Sequence, residues 1–230
     1  MPNFILTGES TVKRRTMPVA AALAATAALL LTACGGGDDS SKDKTDKIAG
    51  ADGSGGSASP SPSASTEKNA PSFDFPSDIT VAVDRESTGD AAKDTALRDL
   101  AYAAEARLEA FAKGNGQTAN LNRYFAGYAR TYWINRVAEL KKEGLTVTGH
   151  YRYFAFEVTD IANGKAAAVR YCEDQSKAYG KVIKTQKVQV TKPSDKDFIL
   201  NTLQVAKDSA GDWQVTRQSW KKGDASCVRG

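Results

Sequence analysis

At Gly144 the spacing of apolar residues changes, and this one switch restricts the chain to helices first and strands afterwards. Ahead of it, Leu97, Leu100, Ala104, Leu108 and Phe111 recur at three- and four-residue intervals, the period of a helix that buries one face. Asp90, at the end of "STGD", is placed to cap that helix, and Gly114-Asn115-Gly116 ends it. A second helical region is predicted from about Ala119 to Glu143, broken near Phe125 to Gly127, with Ala129, Trp133, Val137 and Leu140 on one face. Before both, Ile79, Val81 and Val83 alternate, which predicts a short strand or an extended lead-in.

Beyond Gly144 the runs "LTVTGHYRYFAFEV", "AAAVRYC", "KVIKTQKVQV", "DFILNTLQVAK" and "DWQVTRQSW" are rich in β-branched and aromatic residues. Between them "ANGK", "EDQSKAYG", "KPSD" and "DSAG" have turn-forming compositions, and connections this short imply antiparallel neighbours. The expected fold class is α+β, with N-terminal helices packed on one curved antiparallel sheet. The helix pair, then "AAAVRYCEDQS" with its cysteine and acidic turn, then "DWQVTRQSW" with Cys227 behind it, resembles the nuclear transport factor 2-like (SnoaL-like) cone domains, and more closely small bacterial lipoproteins built on them. The resemblance covers about residues 75–230. It implies a pocket between the helices and the concave sheet face. Members of that family range from enzymes to ligand binders to docking modules, so the fold does not choose a function.

The N-terminus carries its own pattern. Lys13, Arg14 and Arg15 precede the apolar run Pro18 to Leu31, which has the anatomy of a secretory signal and is too short for a typical membrane-spanning helix. Leu31-Thr32-Ala33-Cys34 then resembles the lipobox of bacterial lipoproteins, where cleavage precedes a cysteine that becomes lipidated. That resemblance implies a signal peptide over 1–33, a lipid anchor at Cys34 and a place on the outer, extracytoplasmic face of the cell membrane. A cleaved signal followed by a chance cysteine, or a buried hydrophobic helix, are the competing readings. Residues 34–78, with "GGGDDSSKDKTDK" and "GSGGSASPSPSAST", have almost no large apolar side chains, so the sequence predicts a disordered linker there and a folded domain over 79–230.

Export makes the remaining cysteines, Cys172 and Cys227, candidates for a structural disulfide that would tie the C-terminus to a strand. A reactive thiol pair would need closer spacing or a helix N-terminus. Residues 79–230 hold 24 Lys and Arg against 18 Asp and Glu, a net +6, while 34–78 hold 4 against 8, a net −4. A basic domain suits anionic headgroups or wall polymers through its field. The basic residues are nevertheless scattered, as on a solvated surface, and no nucleic-acid partner is expected outside the cell.

Candidate chemistry is sparse. His150, the single histidine, is the only possible imidazole acid or base; it shares a strand face with Arg152, Phe154, Phe156 and Val158, opposite Tyr151, Tyr153 and Ala155. The competing reading is a half-exposed strand histidine. Asp174 is the candidate carboxylate base, and a turn-capping aspartate competes. Tyr124, Phe125, Tyr128, Tyr132 and Trp133 surround a helix, and Tyr128 and Tyr132 join His150 and Arg152 as candidate pocket residues for an apolar or ring-containing ligand, against an ordinary aromatic core. Lys221-Lys222 reads as a solvated pair. There is no HExxH, paired CxxC, P-loop or GxSxG, so neither metal nor cofactor is expected. These observations favour a non-catalytic module binding a small ligand or an envelope protein. A SnoaL-like isomerase or hydrolase using His150 and Asp174 is the alternative, and an interaction protein without a ligand is the third.

Overall fold

A computed structural model describes residues 69–230. The signal peptide expected over 1–33, the anchor at Cys34 and the linker as far as residue 68 lie outside the described residues.

Strand β1 (Ile79–Val83) is followed by helices α1 (Ala91–Lys113), α2 (Ala119–Tyr124) and α3 (Gly127–Lys142). Then come strands β2 (Leu145–Ala162), β3 (Ala166–Val182), β4 (Val188–Gln189), β5 (Phe198–Lys207) and β6 (Trp213–Lys222), and a last turn of helix, α4 (Ala225–Val228). One sheet holds every strand in the order β1-β2-β3-β5-β6, with β4 beside β3. All pairings are antiparallel except β1 with β2, which is parallel. The sheet is therefore mixed. Three helices lie between β1 and β2, and so long a crossover lets β1 return in the same direction as its neighbour.

The helix termini follow their sequence signals. Asp90 accepts from the N–H groups of Ala92 and Lys93, and Gly114 closes α1 in the left-handed conformation at φ 57°. Thr118 caps α2 through the Leu121 N–H. The break between α2 and α3 has a tertiary cause: Phe125 leaves the helix to bridge Val215 of β6, and the Ala126 N–H donates to the Val215 carbonyl.

Two features of the strands depart from the sequence reading. "EDQSKAYG" is not a break, since β3 runs unbroken from Ala166 to Val182 and pairs with β2 as far as Val182 and Leu145. The predicted run "KVIKTQKVQV" is divided accordingly, Lys181 and Val182 ending β3 and Val188 and Gln189 forming β4. Strand β2 is irregular as well, with register shifts between His150 and Arg152 and between Phe154 and Glu157, and Ala155 at φ 52°. The second bulge reverses the side-chain phase. Phe154 packs with Cys172 and Cys227 on the outer face, whereas Phe156 stacks on Tyr171 on the inner one, their ring centroids 5.2 Å apart. The alternation that placed both phenylalanines on one face fails at Ala155.

On the inner face Tyr151, Tyr153, Val169, Tyr171, Leu203, Val205, Trp213 and Val215 pack against Leu100, Ala103, Ala104, Leu108 and Trp133 of the helices, forming the main core. The packed body begins ahead of the expected boundary at Ile79. Phe73 and Phe75 lie against this core, Asn120 donates to the Ser72 carbonyl, and Arg123 donates to the Asn69 carbonyl. On the outer face the disulfide Cys172–Cys227 holds α4 against β3, with Phe198 and Leu200 beside it.

Candidate functional site

A cavity of about 430 Å³ lies between α1, α3 and the inner sheet face, a size suited to a small ligand. Pairing register builds its floor. Tyr153, Glu173, Ile199 and Lys222 are successive cross-strand partners on β2, β3, β5 and β6, and all four line the cavity. The neighbouring row places Tyr171 opposite Asn201 and Asn201 opposite Trp220. From the helices come Arg107, Leu108 and Phe111 of α1, with Tyr132, Trp133, Arg136 and Leu140 of α3.

The wall is largely aromatic. Trp133 meets Phe111 edge-on at 5.7 Å and Tyr132 at 4.9 Å, while Trp220 lies 5.4 Å from Tyr132 and 6.0 Å from Trp133. Trp133 is fixed from behind by its indole N–H, which donates to Gln218 Oε1 at 2.6 Å. Trp220 is 44% exposed, so the aromatic group reaches from the interior to the mouth.

One ion pair is buried here. Arg107 donates to Glu173 Oε2 at 2.6 Å, the two residues being 8% and 2% exposed. Gln175 donates to Glu173 Oε1 at 2.7 Å and Asn201 to Oε2 at 3.4 Å, so both carboxylate oxygens are occupied. Arg107 also stands 5.0 Å over the Trp133 ring. Burial works against its charge, but Glu173, with the Tyr171 and Tyr153 phenols, more than offsets this and holds the guanidinium above its ordinary pKa. Burial likewise pushes the Tyr151, Tyr153 and Tyr171 phenols up, so they remain neutral. The Tyr153 hydroxyl is buried and has no hydrogen-bond partner among the described residues.

Of the four residues expected in the pocket, Tyr132 lines it. Tyr128 stands one turn earlier on α3, 68% exposed, and reaches only the outer side of Tyr132. His150 and Arg152 take the opposite sheet face, because the bulky Tyr151 and Tyr153 turn inward. His150 Nδ1 lies 2.6 Å from Thr80 Oγ1 near the β1 edge, and Arg152 pairs with Asp84. Asp174 is the cross-strand partner of Arg152 and does not reach the cavity; it accepts the Ser176 N–H within a continuing strand instead of capping a turn. The two candidate catalytic residues thus stand on adjacent strands, outside the cavity.

Arg107, Glu173 and Lys222 were missed by sequence reasoning. Arg107 had a signal: it lies seven residues after Leu100 and three after Ala104, inside the apolar stripe of α1, where a charge requires a partner. Among the described residues no group of His, Cys, Asp or Glu has the arrangement of a metal site.

No family profile and no curated protein matches the chain. Solved structures do. The intermembrane-space region of the chloroplast protein ARC6 is 18% identical, over 56% of this chain and 95% of that one, with a TM-score of 0.39. A ketosteroid isomerase-like protein from Erwinia carotovora atroseptica SCRI1043 is 19% identical, over 56% and 96%, with a TM-score of 0.37. A candidate ketosteroid isomerase from Shewanella frigidimarina NCIMB 400 is 16% identical, over 61% and 99%, with a TM-score of 0.29. These likenesses transfer no activity; the α+β architecture is that of the chain's own elements.

Proposed function

We propose that this chain is an exported, lipid-anchored binding module, held at the outer face of the cell membrane through Cys34, whose cone-like domain takes a small ring-containing ligand without transforming it. The observation that carries the reading is the cavity of about 430 Å³, with an aromatic wall and a buried ion pair already satisfied by protein groups. A carboxylate bonded by Arg107, Gln175 and Asn201 serves to hold a floor in shape and is poorly placed to accept a proton from substrate. His150 and Asp174, on which an enzymatic reading would rest, stand outside the cavity. Export is supported by the order of basic patch, apolar run and lipobox-like tetrapeptide.

The test is native mass spectrometry of the full chain purified from membranes, compared before and after mild denaturation. Retained mass that departs on unfolding is the expected result, and its composition names the ligand class. Turnover that disappears in His150→Ala or Asp174→Asn would overturn the non-catalytic reading.

A further inference from the structure

The charges around the cavity are not balanced. Three cations, Arg107, Arg136 and Lys222, line it against one carboxylate, Glu173. Arg107 spends its charge on Glu173, and Arg136, on the solvent side, pairs with Glu139 at 2.5 Å. The Lys222 ammonium has no hydrogen bond or ion pair among the described residues, whereas its neighbour Lys221 turns to Asp224 at 3.0 Å. Among the described residues, then, Lys222 is an exposed cation on the cavity with no partner for its ammonium.

Its position is set by the sheet. Lys222 and Glu173 flank Ile199 in one inner-face row, about 10 Å apart along the backbone at normal strand spacing. Glu173 is already saturated, so nothing in the row draws the ammonium inward. Two residues before it on the same face stands Trp220, and Arg136 follows Tyr132 by one turn of α3. An aromatic slot thus ends at Lys222, with the Arg136–Glu139 pair beside Tyr132. The slot resembles a cage for an organic cation, but Arg107 already occupies the Trp133 face and the wall offers no free carboxylate, so a cation would be repelled.

We propose that the cavity selects ring-bearing carboxylates or sulfonates, with the ring against Trp220 and Tyr132 and the anionic group on Lys222. This deepens the binding reading and rests on it. The test titrates the full chain, at matched detergent, with 2-naphthoate and with uncharged 2-naphthalenemethanol, reading quenching of tryptophan emission. The expected result is a preference of about tenfold for naphthoate, the scale of a charge-assisted hydrogen bond, which shrinks with added salt. Lys222→Ala abolishes the preference, Lys222→Arg keeps it, and Lys192→Ala, on an exposed segment away from the cavity, leaves it unchanged. Equal affinities would overturn the anion selectivity and leave the binding module standing. A preference that survives in Lys222→Ala would overturn the assignment to Lys222. No quenching by either compound would remove the pocket reading together with this one.

Discussion

Glu105 is half-buried on α1, a turn from Ala101, Tyr102, Leu108 and Glu109, and its carboxyl has no hydrogen-bond partner among the described residues. Burial alone raises its carboxyl from 4.5 to about 7. Between those values the folded chain keeps a proton that the unfolded chain has released, so stability is lost as pH rises through this window. Glu105→Gln should remove the dependence, stabilising the domain by about 1 to 3 kcal/mol at pH 8 and far less at pH 4. Denaturant melts at the two pH values check this, and a gain equal at both would mean the charge is not what costs stability. At this scale the sequence was legible for residues whose role is local, such as Asp90 and Gly114. It was not legible for His150, because a single histidine signals possible chemistry while the face it takes is decided by the tyrosines beside it. Lys222 was passed over for the opposite reason: it is exposed, as "KK" suggests, and only the register of β6 also places it in the row with Glu173.

Among the elements, the helices were readable almost to their ends, since capping and apolar period are properties of contiguous residues. The strands were readable only as runs. "EDQSKAYG" has a turn's composition, yet β2 supplies partners to all of it but Gln175 and Ser176, and Glu173 and Gln175 line the cavity, so pairing overrides local preference. The bulge at Ala155 had no signal of its own, because alanine does not announce a left-handed backbone. Helix α4, four residues long, is too short to persist alone and depends on the bond from Cys227 to Cys172. Replacing both cysteines by serine should cost about 4 kcal/mol, as the closed loop spans a separation of 55 residues. The accompanying change is local: amide exchange should accelerate over 224–230 and around Phe198 to Leu200, while α1 keeps its protection relative to global unfolding. Unchanged exchange at the C-terminus would mean that Phe154 and Leu200 hold α4 without the bond.

For the whole molecule, fold class followed from the order of periods, while the site needed the sheet closed against α1 and α3. Arg107 and Glu173 are 66 residues apart in the chain, and only the assembled sheet and helices make them one ion pair. Anchoring works at the same scale. The described body begins at Asn69, 35 positions after the cysteine proposed as the anchor (69 − 34), and its disulfide joins Cys172 to Cys227. Anchor and binding site should then be separable by mutation. With the signal segment removed, Cys34→Ala is expected to move the protein from the membrane fraction to the soluble one, because the acyl chains, at about 0.8 kcal/mol per buried methylene, are then the anchor that is lost. The melting temperature of the domain and its affinity for 2-naphthoate should be unchanged. Detergent phase partitioning of wild type and variant, with both melts and titrations run beside it, reads all three quantities. Continued partition of Cys34→Ala into membranes after removal of the signal segment would assign retention to the basic domain itself, whose +6 charge over 79–230 could then be screened away by salt.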